Sequence, residues 1–89
     1  MNEQNSIIIR IQKMEEYLDC ILEKKKDGFW DIQEDIKAQK MLRELIEYYE
    51  SGQWLADYEC DERGKLPKDL KRGVLAQDTL YDLFSEFEL

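Results

Sequence analysis

The clearest pattern in the chain is a helical repeat of apolar residues in its first third. Steps of three and four residues place one stripe of side chains on a single helix face: Ile7, Ile11, Met14, Leu18 and Ile21. We predict an amphipathic helix over residues 6–26, with Asn5 or Ser6 as its N-cap. Three lysines in the last turn suit the helix dipole, and Gly28 follows as a stop.

A second helix is predicted from about Asp31 to residue 50, but its apolar positions change sides. Ile32 and Ile36 share one face, whereas the later apolar residues lie almost opposite them: Met41, Leu42, Leu45, Tyr48 and Tyr49. Such a switch suggests that the segment contacts two different elements, or a partner protein with one half. Gly52 can adopt the left-handed conformation that closes a helix.

The sequence of the last third of the chain predicts shorter helices. Residues 53–58 should form a short helix, and Pro67 should begin a further helical turn that ends at Lys71 and Arg72, with Gly73 just after it. The five-residue step from Leu75 to Leu80 fits a hydrophobic staple, which makes Ala76 the N-cap of a helix over residues 77–87. Four apolar residues of this helix should face inward: Leu80, Leu83, Phe84 and Phe87.

These elements predict one all-α domain over residues 1–89. An antiparallel helical hairpin occupies residues 5–50, and shorter helices in residues 51–89 complete a small bundle. A chain of this length buries only roughly 60–65% of its unfolded surface, so its core is thin. A protein partner or a second copy would help to complete that core.

The charge balance argues against binding to nucleic acid or membranes. The chain has 13 basic and 21 acidic residues, and residues 1–50 and 51–89 each carry a net charge of −4. Such an evenly spread acid excess lacks the basic footprint that phosphate backbones and anionic lipids require. No apolar run approaches the ~20 residues that span a bilayer. Cys20 and Cys60 stand forty positions apart without a CxxC motif, which fits reduced thiols in a cytoplasmic protein.

A long segment of the chain resembles a catalogued family. The similar stretches are residues 48–59 (YYESGQWLADYE), 61–62 (DE), 66–75 (LPKDLKRGVL) and 80–83 (LYDL). They resemble the signature of a bacterial domain of unknown function, DUF4298, and the first helix resembles that family loosely. The resemblance implies a bacterial or phage-borne cytoplasmic protein and brings no known activity. The family favours serine where this chain has Ala76, which implies a weaker helix cap by about 0.5–2 kcal/mol.

Two clusters of charged residues lie within this signature. The acidic cluster holds Asp57, Glu59, Asp61 and Glu62, and we predict a solvated face there. A weak metal site and a surface for a basic partner are the alternatives. An EF-hand loop starting at Asp57 would need glycine at position 62 and glutamate at position 68, and both are missing. The basic cluster of Lys65, Lys68, Lys71 and Arg72 should pair with these acids, with phosphate binding as the alternative.

Aromatic residues are concentrated in the same region. Tyr48, Tyr49, Trp54 and Tyr58 fall within eleven positions, and we interpret them first as core, with a partner surface or a small-ligand pocket as alternatives. Trp30 is the better candidate for an exposed aromatic. The candidate partner-binding residues are therefore Trp30, Tyr49, Trp54, Asp57, Tyr58, Glu59, Lys71 and Arg72.

The chain contains no histidine, which removes the commonest general base and metal ligand. No glycine-rich phosphate loop is present. The sequence therefore predicts no catalytic residue, metal or cofactor, and favours a non-enzymatic protein-interaction module. Two alternatives stay open: an acidic nucleic-acid mimic, such as a phage anti-defence inhibitor, and a small enzyme or ligand binder centred on Trp54, Asp57 and Tyr58.

Overall fold

The computed structural model describes residues 3–76 and 78–87. Within these residues, four α-helices form the domain: α1 (Glu3–Lys25), α2 (Ile36–Glu50), α3 (Gln53–Glu62) and α4 (Thr79–Glu86). Two 3-10 turns, Ile32–Glu34 and Gly73–Leu75, lie before α2 and before α4. No strand occurs within the described ranges, and the all-α class predicted from the sequence is confirmed.

The longest helix sets the shape of the domain. At 1.5 Å per residue, α1 is about 35 Å long, close to the 41 Å long axis of the molecule. Ion pairs join Lys24 to Asp35 (2.9 Å) and Lys13 to Glu44 (3.6 Å), so α2 runs back along α1 in the opposite direction. The core lies between them and is closed by α4 and the second 3-10 turn.

The apolar stripe of α1 is buried as predicted. Ile11, Met14, Leu18 and Ile21 all belong to the core. The helix begins earlier than expected, at Glu3, so Asn5 and Ser6 lie inside it and the predicted cap is wrong. Glutamate and glutamine are good helix formers, and residues 3 and 4 therefore extend the helix instead of ending it.

The second predicted helix is divided at Asp35. This residue has extended backbone angles, and its Oδ1 accepts from the Ala38 N–H at 3.0 Å, which makes it the N-cap of α2. Asp31 caps the short 3-10 turn that comes before it. The division explains the change of apolar face, because the α2 stripe runs continuously through buried positions (Ala38, Leu42, Leu45 and Tyr48) and leaves Ile36 in solvent.

The C-terminal third differs most from expectation. Gly52 has φ +92°, the left-handed conformation predicted for it, and α3 continues to Glu62, beyond the predicted end. Pro67 begins only a turn, in which the Leu70 N–H donates to the Pro67 carbonyl.

Helix α4 begins later than the staple predicted. Ala76 ends the second 3-10 turn with an extended backbone, and Asp78 takes the N-cap position of α4, so the prediction of an Ala76 cap is wrong. Gln77, the predicted first residue of this helix, lies outside the described residues. The predicted inward face is confirmed, since Leu80 and Leu83 are buried and Phe84 and Phe87 pack against the core.

Candidate functional site

The most unusual group inside the domain is a buried carboxylate in the middle of α3. Asp57 is 0% exposed. The Arg10 guanidinium of α1 donates to both of its oxygens, from Nε to Oδ2 at 2.9 Å and from Nη2 to Oδ1 at 2.5 Å. The Tyr48 hydroxyl of α2 donates to Oδ2 at 2.7 Å. One side chain therefore ties three helices together.

This arrangement corrects the prediction that Asp57 belongs to a solvated acidic face. A buried carboxylate needs a charged partner and hydrogen bonds, and here Arg10 and Tyr48 supply both. The hydrogen bond to Asp57 raises the pKa of Arg10, and burial followed by the Asp57 carboxylate raises the pKa of Tyr48 well above its usual value. The geometry gives Asp57 a role in holding the fold, with no free oxygen directed at a ligand.

A second buried carboxylate fixes the turn before α4. Glu15 is 6% exposed, and its Oε2 accepts from the Val74 N–H at 2.7 Å. From the other side, the Trp54 indole N–H donates to the Val74 carbonyl at 2.9 Å. A Cβ at Gly73 would lie 2.8 Å from Glu15 Oε1, so the close approach of α1 to this turn favours glycine there.

Two basic residues of the signature, Lys71 and Arg72, make internal contacts. Arg72 pairs with Asp61 and donates to the carbonyls of Pro67 and Leu70, which closes the loop between α3 and the second 3-10 turn. Lys71 reaches α1 instead, where its Nζ lies 2.8 Å from Asp19 Oδ2. The expected pairing of this basic cluster with the upstream acids is thus seen for Arg72.

The aromatic candidates form a half-buried stack. Trp54 lies 5.2 Å from both Tyr58 and Tyr49, measured between ring centroids, and Tyr49 meets Phe84 edge-on at 5.8 Å. The Tyr49, Trp54 and Phe84 rings pack against the core, and Tyr58 is half-buried. Glu59 on the same helix is exposed.

The prediction that Trp30 is exposed is wrong, because its side chain is half-buried against the core. Its ring meets Phe87 edge-on at 6.2 Å, and its indole N–H donates to Asp35 Oδ2 at 3.1 Å. The neighbouring Phe29 is the exposed aromatic instead. Two aromatic residues in a turn give no periodic signal, so the sequence could not indicate which of them would face the core.

Phe29 and Ile36 together form an exposed apolar surface, which we call the turn patch. Phe29 is 99% exposed and Ile36 80%, and both line a shallow cleft of about 400 Å³. The turn beneath is held in place because the Phe29 N–H donates to Asp27 Oδ1 at 2.9 Å and the Trp30 N–H to the Asp27 carbonyl at 3.1 Å. The patch therefore presents two apolar side chains on a fixed backbone.

Residues 11–89 match a family described as a domain of unknown function, DUF4298. The chain belongs to this family. No curated protein and no solved structure matches it. The DUF4298 match contains Glu15, Tyr48 and Asp57, and Arg10 falls immediately before it.

A second concave surface of this DUF4298 domain lies between residues 8–19 of α1 and residues 67–71, and we call it the α1 groove. It encloses about 490 Å³. Apolar lining comes from Ile8, Pro67 and Leu70, and charged lining comes from Glu15, Glu16, Asp19, Asp69 and Lys71. The groove shares no residue with the turn patch, which lies beyond the C-terminal end of α1.

The described residues contain neither a cluster of potential metal ligands nor a helix suited to span a membrane. No group of three or more acidic or cysteine side chains there is placed to hold a metal ion. No helix in the same part of the chain has the length and apolar character to cross a bilayer.

Proposed function

We propose that this DUF4298 domain is a protein-interaction module that binds a partner protein through the turn patch. The exposure of Phe29 and Ile36 carries the proposal. Neither side chain contributes to the core, so the fold itself gives no reason for apolar residues at these positions. Exposed apolar side chains that lie together on a fixed surface are typical of protein-binding sites.

The patch suits an anchor that enters a pocket of a partner. Burying a phenylalanine or isoleucine side chain stabilises a complex by about 1.5–3 kcal/mol each. Two such anchors supply the centre of an interface, around which polar contacts and water exclusion complete the binding energy. The rigid turn lowers the entropy lost on binding, since its backbone is already hydrogen-bonded.

A different protein fits this surface better than a second copy of the chain. Each copy carries a net charge of −8, and like charges oppose association. A partner that lacks this negative charge and has an apolar pocket for Phe29 avoids that repulsion.

The test compares capture of proteins from a lysate of the source organism by the native chain and by Phe29→Ser/Ile36→Ser. Leu55→Ser/Tyr81→Ser is the matched control, because both side chains are exposed but lie outside the patch. We expect one protein captured by the native and control chains and lost with the patch variant. Titration of that purified protein should then show an affinity at least tenfold weaker for Phe29→Ser, as expected for an anchor worth about 1.5 kcal/mol.

Circular dichroism and urea unfolding establish that both variants are folded before binding is compared. Capture that is equal for the patch and control variants would refute the proposal. The proposal would also be refuted if the native chain captured no protein more strongly than an unrelated acidic protein of the same size used as a control bait.

A further inference from the structure

The α1 groove combines an apolar base with an acidic rim. Ile8 and Leu70 are half-buried at its base, and Glu16 and Asp19 stand exposed on α1, across from Asp69. Glu15 lies deeper, fixed by its hydrogen bond with the Val74 N–H. Among the described residues that line the groove, Lys71 is the basic one, so acidic side chains outnumber basic ones.

The groove already holds one ammonium group of the chain itself. Lys71 Nζ lies 2.8 Å from Asp19 Oδ2. Asp19, and more weakly Glu15, raise the pKa of Lys71. The site therefore stabilises a positive charge at its mouth, beside apolar surface that remains accessible.

We propose that the α1 groove binds an extended segment of another protein that carries lysine or arginine next to an aliphatic side chain. The cation lies between Asp19 and Asp69, where it competes with Lys71, and the aliphatic side chain covers Ile8 and Leu70. A volume of about 490 Å³ accommodates these two side chains together. This site is independent of the turn patch and can exist whether or not that surface binds a protein.

Charge complementarity selects this occupant. A phosphate or nucleic acid would be repelled by the acidic rim. A second copy carries the same net charge of −8, so two copies repel each other overall. A cationic segment of a different protein meets neither obstacle.

The test uses three fluorescently labelled peptides of equal length and measures their binding by anisotropy. One alternates lysine with leucine, the second replaces lysine by glutamate, and the third replaces leucine by serine. We expect measurable, salt-dependent binding of the lysine–leucine peptide and weaker binding of the serine peptide. The glutamate peptide should not bind. When the peptide is added to isotope-labelled protein, the largest changes in NMR chemical shift should occur in residues 8–19 and 67–71.

Substitutions distinguish specific binding in the α1 groove from non-specific electrostatic attraction of a basic peptide to an acidic protein. Asp19→Asn and Leu70→Ser should each weaken binding about two- to fivefold, as one partly exposed contact allows, whereas Glu59→Gln should not. Lys71→Met should strengthen binding by a similar factor because it removes the internal competitor. Lys40→Met makes the same change in net charge on an exposed part of α2 and should strengthen binding less.

Three results would overturn the proposal. These are no binding of the lysine–leucine peptide, equal effects of Lys71→Met and Lys40→Met, or equal weakening by Glu59→Gln and Asp19→Asn. Phe29→Ser/Ile36→Ser should bind the peptide as the native chain does. A loss with that variant would place the peptide on the turn patch and refute the groove as its site.

Discussion

The Asp57 network predicts that one substitution in α3 destabilises the whole domain. Asp57→Ala removes the acceptor of two hydrogen bonds from Arg10 and one from Tyr48. The guanidinium then has no counter-charge, and the Tyr48 hydroxyl is left in the core without its acceptor. Because these donors lie on α1 and α2, the change affects the packing of three helices and is not confined to α3.

The size of the effect follows from burial. Removing one member of a buried ion pair costs about 3–5 kcal/mol, and a buried hydroxyl without a partner costs about 1–3 kcal/mol. The Arg10 side chain is 29% exposed, so water can solvate part of its charge, and we expect a total near the lower end, about 3–4 kcal/mol. A domain of this length has a free energy of unfolding of roughly 4–13 kcal/mol. The variant therefore loses a large fraction of its stability.

Urea unfolding followed by tryptophan fluorescence measures this loss. Glu59→Ala is the matched control, an exposed acid two positions along the same helix, and should change stability by less than about 0.5 kcal/mol. The double variant Arg10→Ala/Asp57→Ala should cost less than the sum of the single variants, since it leaves no unpaired charge. Equal stability of Asp57→Ala and Glu59→Ala would show that the network does not hold the helices together.

Three further predictions concern stability. Gly73→Ala should cost about 0.5–1.5 kcal/mol, because its Cβ would lie 2.8 Å from Glu15 Oε1 and the displaced carboxylate would lose its hydrogen bond with the Val74 N–H. Gly28→Ala is the control, since a Cβ there meets nothing within 4 Å, and equal urea midpoints for the two variants would contradict this. Hydrogen bonds from Lys24, the Ala38 N–H and the Trp30 indole lower the pKa of Asp35 from its usual 3.8 to about 2. The native chain should therefore be more stable than Asp35→Asn by the full amount above pH 3.8, and this difference in the free energy of unfolding should shrink as the pH falls towards 2. Burial raises the pKa of Tyr48 above 10.0, so the native chain should lose stability relative to Tyr48→Phe as pH rises above that value.

The apolar pattern predicted much of the fold, because burial of a helix stripe is a local property of the sequence. Most of the apolar positions spaced along α1 and α4 are buried as expected, and Ile7, Phe84 and Phe87 are partly buried against the core. The division at Asp35 was not predictable in the same way. Aspartate tolerates a helix interior or a cap position, and the bonds of its side chain to the Ala38 N–H and to Lys24 decide between them.

The buried carboxylates were missed for a different reason. An acidic residue is ordinarily solvated, and what reverses this preference is a partner far away in sequence. Arg10 lies 47 positions from Asp57, and Val74 lies 59 positions from Glu15. The one available signal was weak: Arg10 and Glu15 flank the apolar stripe of α1, so their side chains start beside the core. Nothing in the spacing indicates which acid each would meet.

The contacts of the signature residues indicate that these residues stabilise the fold of the DUF4298 domain, whereas the turn patch is free to bind a partner. Its polar residues Trp54, Asp57 and Arg72 bond to other parts of the chain, so their loss should lower stability and reduce binding only as a consequence. Phe29 and Ile36 lie outside the signature and make the opposite prediction, a loss of binding at unchanged stability. Substitutions in the signature and in the turn patch should therefore affect different measurements, the first mainly the free energy of unfolding and the second mainly the affinity for a partner.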